Sequence, residues 1–195
     1  MAAGYWVSMA RSDGHGRTPY TGLGVAGLTG HVFFELGAGV GMPLASVVGA
    51  APAAGLWATA GAAGIRRAAG WSTAEPAGRW AGLVNGLGIG AFVAHLSSWP
   101  KAESAARHRR FVLPWLADCE DLGPRLTPAY NVILYGSAVA SVAGLLRESR
   151  GGRPAGLALA ALAVPVLGAA QHWEIARLRA QARRSPAWWN RRLRT

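Results

Sequence analysis

Cysteine is almost missing from this chain. Cys119 stands alone among 195 residues, which excludes a disulfide scaffold and a cysteine-based zinc site. Charge is scarce as well: Asp, Glu, Lys and Arg make up 15% of the chain, against roughly 25% in soluble domains. Acids are fewer than bases, 9 against 20, for a net charge of +11, and lysine occurs only at Lys101. Glycine has no every-third-residue period, so a collagen-like chain is excluded. A basic start followed by a long apolar core is missing from the first residues, so no cleavable signal peptide is expected. There is no serine nucleophile elbow and no phosphate-binding GxxxxGK[ST]. Gly86, Gly88 and Gly90 lie within an apolar run, not after a strand, and make no dinucleotide fingerprint.

What fills the chain instead is apolar. Hydrophobic residues reach 51%, too many for a disordered chain, and Ala and Gly together supply about a third of all positions. Residues 80–100, 126–146 and 154–173 carry no charge at all. Each run matches the roughly 20 residues a helix needs to cross the ~30 Å hydrocarbon layer. From Thr18 to Ile65 the only charge is Glu35, which leaves room for two more crossings with a break between Met42-Pro43 and Gly49. Soluble helices of this length show a polar face at helical spacing, and these runs show none. The expectation is an all-α, polytopic integral membrane protein, with about five transmembrane helices in a compact bundle. The spans are 22–44, 47–65, 80–99, 128–146 and 154–173. A polar segment 1–21 precedes them, an interfacial loop 100–127 interrupts them, and a basic amphipathic tail 174–195 follows.

Basic residues in the short loops set the orientation. One side of a five-span chain carries eight Lys or Arg and the other, with the tail, carries twelve. This favours a multi-pass protein of the cell membrane with a cytoplasmic C-terminus. The tail arginines, from Arg177 to Arg194, accompany Trp188 and Trp189 directly after a span. That pairing suits anionic lipid headgroups at the interface rather than nucleic acid. Small residues recur every fourth position at Gly82, Gly86, Gly90 and Ala94, as they do where helices approach closely in lipid. Gly37, Gly41, Ala45 and Gly49, and Gly136, Ala140 and Gly144, read as further stripes.

An ionisable group inside a bilayer is costly, near +2.5 to 3.5 kcal/mol for an acid at a helix centre. Glu35 is the only acid well inside a span, and His31 lies one turn earlier on the same face. A carboxyl and an imidazole so placed form a candidate proton donor and acceptor, the catalytic pair of this reading. Asn85, His95, Asn131, Tyr135 and His172 are candidate substrate-binding residues. His95, Tyr130, Asn131, Tyr135, Gln171 and His172 share the leaflet on the side of the 100–127 loop, while Asn85 lies nearer the other and is expected to point inward. In that loop Arg107, Arg109 and Arg110 are candidate ligands for phosphate oxygens. The acids Asp118, Glu120 and Asp121 offer a weak Mg²⁺ site, without the paired Asp motifs that a diphosphate site needs. No cofactor is otherwise expected. HxxxE is not the HExxH zinc pattern. Depth also counts against a metal or haem, with His31 a third of the way in and His95 and His172 near the opposite edge.

His31-Val-Phe-Phe-Glu35 resembles the HxxxE element of the emopamil-binding family of sterol isomerases. Those are five-span membrane proteins that use a buried acid and histidine to move a proton on a lipid ring. The likeness covers five residues and the number of spans. The family's second acid, on a later span, has no counterpart here, Asn85 being the nearest polar residue. Its late Asn and Trp have no clean match, although Gln171 and Trp173 stand near a span end. The resemblance implies that a buried Glu–His pair in so small a bundle can serve proton transfer on a lipid.

The functional expectation is therefore a membrane-embedded enzyme, an isomerase or a cyclase of the terpene-cyclase type. It would do acid/base chemistry on an apolar lipid or isoprenoid, with Glu35 as acid. Two alternatives stand beside it: a non-enzymatic accessory or scaffold protein with Glu35 as a packing lock, and a proton-coupled carrier. An enzyme requires an apolar pocket beside Glu35, and a lock requires none.

Overall fold

The computed structural model describes residues 17–70, 77–98 and 122–194. Every regular element among them is helical: α1 (Pro19–Ala38), α2 (Ala45–Val48), α3 (Ala50–Ala68), α4 (Ala77–Ser98), α5 (Thr127–Arg147) and α6 (Arg153–Arg184), closed by a 3₁₀ turn at Arg191–Arg194. Three helices are long and apolar enough to cross a membrane: Gly78–Ser98, Thr127–Arg147 and Arg153–Arg184. α1 and α3 have nearly the same length but are less apolar. α1 carries Thr21, His31 and Glu35 among its buried residues, and α3 is mostly Ala and Gly and ends in Arg66-Arg67.

Several large apolar side chains face outward while several polar ones are sealed inside. Val132, Val139, Leu157, Leu162 and Val166 are more than half exposed, whereas Asn85, Asn131, Thr21 and Ser141 are sealed inside. A greasy exterior around a polar interior is costly in water and favourable in hydrocarbon.

α3 is shifted three residues later than the expected 47–65 and α4 starts three residues before 80, and the first and last helices differ more tellingly from their expected spans. The first helix ends at Ala38, not at 44, because Gly39 and Gly41 take left-handed backbone with φ of 86° and 87°. The Gly39 and Val40 N–H groups bond back to the Glu35 carbonyl at 3.0 and 3.1 Å, a glycine-terminated helix end. Gly37, Gly41, Ala45 and Gly49 are thus no packing stripe: a Cβ at Gly37 meets nothing within 4 Å, and Gly41 and Gly49 are turn residues. Pro19–Thr21, expected in the leading segment, belong to α1. The last helix runs past 173 to Arg184, so the tail starts as its continuation. The residues beyond fold back onto the protein. Gly41 N–H donates to the Trp189 carbonyl at 2.8 Å, Arg192 N–H donates to the Gly39 carbonyl at 3.0 Å, and Leu193 is buried.

Sequential long helices run antiparallel. α1 faces α3 through Gly22 against Ala68 and Gly64 against Val25, and faces α5 through Gly27 against Ser137. α4 and α6 run parallel along the expected glycine stripe. A Cβ at Gly82 or Gly86 would collide with the carbonyls of Gly152 and Gly156, and one at Gly90 would lie 2.7 Å from the Ala163 Cβ. α1 lacks a side-chain cap of its own. Glu148, after α5, supplies it: its carboxylate accepts from the Tyr20 and Thr21 N–H groups at 2.8 Å and from the Thr21 hydroxyl at 2.7 Å. A carboxylate at a helix N-terminus satisfies orphan donors and the helix dipole together.

Substitutions along α4 and α5 separate close packing from mere glycine content. Gly86→Leu forces backbone against backbone and is expected to cost at least about 1–3 kcal/mol. Gly136→Ala adds a methyl where nothing lies within 4 Å and is expected to leave stability unchanged or slightly raised. Thermal unfolding of both variants in detergent checks the contrast.

Candidate functional site

α1 and α6 are each packed on other helices, α1 on α3 and α5, α6 on α4, and a cavity of about 240 Å³ remains between them. Its floor is α4 at Ala91, Ala94 and His95. The turn after α1, at Val40, Met42, Pro43 and Leu44, closes one end together with Trp57 of α3, and Leu167, Gln171, Trp173 and Leu178 of α6 form the far wall. Glu174 fastens that end. Its carboxylate accepts from the Ser46 N–H at 2.9 Å and from the Ser46 hydroxyl, and Gln181 donates to the Ser46 carbonyl at 2.8 Å. The cavity reaches the surface beside the half-exposed Trp173 and Leu44.

Nearly all of this lining is hydrocarbon, and Glu35, His31 and His95 break it together. His31 and Glu35 come from adjacent turns of α1 and His95 from α4. Their potential donor atoms all lie within 4.8 Å of one another. The two imidazoles meet edge to face, with centroids 5.4 Å apart. His95 Nδ1 donates to the Ala91 carbonyl at 2.7 Å. The carbonyl has no proton to give, so in neutral His95 the proton is on Nδ1 and the ring lone pair on Nε2. His31 Nδ1 is buried and has only the Leu28 carbonyl beside it, outside hydrogen-bond geometry. The Tyr130 hydroxyl of α5 donates to Glu35 Oε1 at 2.7 Å, and its ring stacks edgewise against His31. Three acids occur among the described residues. Glu148 caps the start of α1 away from the cavity; Glu174 lines the cavity's far end but is engaged by Ser46, and Glu35 is the acid that stands among the imidazoles.

The structure assembles part of the expected site. Glu35, His31 and His95 converge. The depth argument that separated His31 from His95 fails, because α1 ends at Ala38 and its last turns lie level with the end of α4. Asn85 is elsewhere: it donates to Thr21 Oγ1 at 2.8 Å and packs on Gly144, in the polar knot around Glu148. Asn131 is buried and donates to the Thr127 carbonyl of its own helix. Tyr135 packs on Phe92 with centroids 4.9 Å apart. His172 is exposed and bonds the Gly168 carbonyl. None of these four lines the cavity. Arg107, Arg109, Arg110, Asp118, Glu120 and Asp121 lie outside the described residues. The sequence grouped Tyr130 with His95 at one end of the bundle but gave it no role there. Trp57 and Glu174 were not singled out as site residues, since an aromatic on an Ala-rich helix and an acid after a span carry no local signature.

The Tyr130 hydroxyl is expected to hold the Glu35 carboxyl in its present orientation. Tyr130→Phe should lower stability by about 0.5–2 kcal/mol, the range for a hydrogen bond between membrane helices, with the fold retained. Thermal unfolding and near-ultraviolet circular dichroism in detergent check it.

No protein-family model, curated protein or solved structure matches this chain.

Proposed function

We propose that the protein is a small integral membrane enzyme that performs proton transfer, such as isomerisation or cyclisation, on an apolar lipid or isoprenoid. In this reading all five long helices cross the cell membrane, and the excess of basic residues keeps the C-terminus in the cytoplasm. The observation that carries it is an oil-lined cavity in which one carboxyl, Glu35, and two imidazoles, His31 and His95, converge. A dry cavity of about 150 Å³ holds a benzene ring, so about 240 Å³ admits a ring or a short branched chain. An edge formed by exposed apolar side chains, Trp173 and Leu44, suits a substrate arriving from the lipid.

The chemistry needs no cofactor. The Glu35 O–H bond breaks as a C–H bond forms on an alkene carbon, and the cation so made sits in a cavity largely free of water. Loss of a proton from a neighbouring carbon gives an isomer; attack by a second alkene gives a ring whose new cation loses a proton in the same way. His31 relays the lost proton back to the Glu35 carboxylate. The rival reading, an accessory subunit locked by Glu35, draws on the Tyr130 hydrogen bond but gives no reason for the cavity.

Turnover of isoprenoid and sterol-like lipids by the purified protein in lipid nanodiscs tests the proposal. General acid catalysis contributes about 10²–10⁴-fold, so Glu35→Gln is expected to lose at least a hundredfold in kcat. Ala91→Phe, which places a ring in the cavity, is expected to block substrate uptake. Wild-type turnover by Glu35→Gln would sink the acid role. A loss of stability that tracks the loss of activity would point to the lock.

A further inference from the structure

We propose that His31, Glu35 and His95 form a binding site for a divalent transition-metal ion of the zinc type. The site goes beyond the function proposed above and does not depend on it. Two imidazoles and one carboxylate are a donor set that zinc takes in sites with an open fourth position. Around a tetrahedral ion at 2.0–2.1 Å, donors stand roughly 3.3 Å apart. The three donor groups already lie within 4.8 Å of one another, a gap that side-chain rotation closes without moving the helices.

The surroundings match the ligands. Metal-binding histidines donate their second nitrogen to a backbone carbonyl, and ligating carboxylates are held by hydrogen bonds of their own. His95 has its Nδ1–H on the Ala91 carbonyl, which presents Nε2 as the ligand atom. Glu35 has the Tyr130 hydroxyl on Oε1. His31, 3% exposed, has its buried Nδ1 beside the Leu28 carbonyl without a hydrogen bond of full geometry, a backbone support that a metal-bound ring would tighten. All three ligands line the cavity, so the open coordination position faces it. Mg²⁺ and Ca²⁺ prefer oxygen-rich shells and are expected to be excluded. A ligating carboxylate has given up its proton, so ion binding and proton donation by Glu35 exclude one another. As a corollary that rests on the enzymatic reading, Zn²⁺ inhibits that reaction by occupying the acid.

The test is Zn²⁺ binding to the metal-stripped, full-length protein in detergent, by isothermal titration and elemental analysis. About one ion per chain is expected. Loss of a ligand should weaken binding by more than the 10–100-fold that follows loss of a supporting group. His31→Gln, Glu35→Gln and His95→Gln should each show this, and His172→Gln should not. X-ray absorption at the zinc edge of the wild type reads the ligands without any variant and is expected to show two imidazoles and one carboxylate. Fewer than two imidazoles, or unchanged binding in His95→Gln, overturns the site, as does the absence of uptake by a folded wild type. Zinc binding that survives while Glu35→Gln turns over lipid normally would sink the enzymatic reading alone. Activity lost with Glu35 but no zinc bound would sink the metal site alone.

Discussion

Contact between the backbones of α4 and α6 is the constraint on which the rest of the arrangement depends. At Gly82, Gly86, Gly152 and Gly156 the two helices leave no space for a Cβ. In lipid, where apolar surface gives no drive toward association, such closeness lets van der Waals contact do the work. With α6 committed to α4, and α1 committed to α5 and α3, nothing fills the space between α1 and α6. The cavity is a by-product of these pairings, and α2 and the turn before it close one end by docking on Glu174.

A second constraint is the cost of burying charge and polar backbone. Glu148 and Glu174 each stand at a helix start belonging to another part of the chain, where N–H groups lack partners. Both acids thereby gain hydrogen bonds and both helices gain a cap, and the ends of the bundle are tied across roughly 130 residues of chain, a separation that local contacts cannot supply. Glu35 follows another logic. It is buried at 9% exposure, hydrogen-bonded by Tyr130, and placed among imidazoles at the wall of a cavity. A carboxyl serving packing alone needs a donor; it does not need an oil-lined space in front of it.

Much of the fold was legible in the sequence because long uncharged apolar runs have few alternatives to a helix. Uncharged runs of 20 or 21 residues became α4, α5 and the first part of α6, and the glycine stripe at 82, 86 and 90 became a real interface. The end of α1 was misread because Gly37, Gly41, Ala45 and Gly49 have the spacing of a packing stripe, and spacing does not reveal a positive φ. That error had a consequence for the site. Extending α1 to residue 44 moved His31 and Glu35 toward mid-membrane and away from His95, and so removed the reason to group them. Asn85, Asn131 and Tyr135 look functional because they are polar inside apolar runs, yet each is satisfied or packed within the bundle away from the cavity. Tyr130 was the reverse case: only the rotation of α5 against α1 shows that its hydroxyl reaches Glu35.

The backbone pairing of Gly39 and Gly41 with Arg192 and Trp189 has a consequence for the order of events during biosynthesis. The turn that includes Val40 and Met42 is made roughly 150 residues before the strip that steadies it, a long-range closure of the slow kind. Helices made early must therefore wait for that partner, and the end of the chamber that Val40 and Met42 close is firm only once residues 189–192 have been delivered.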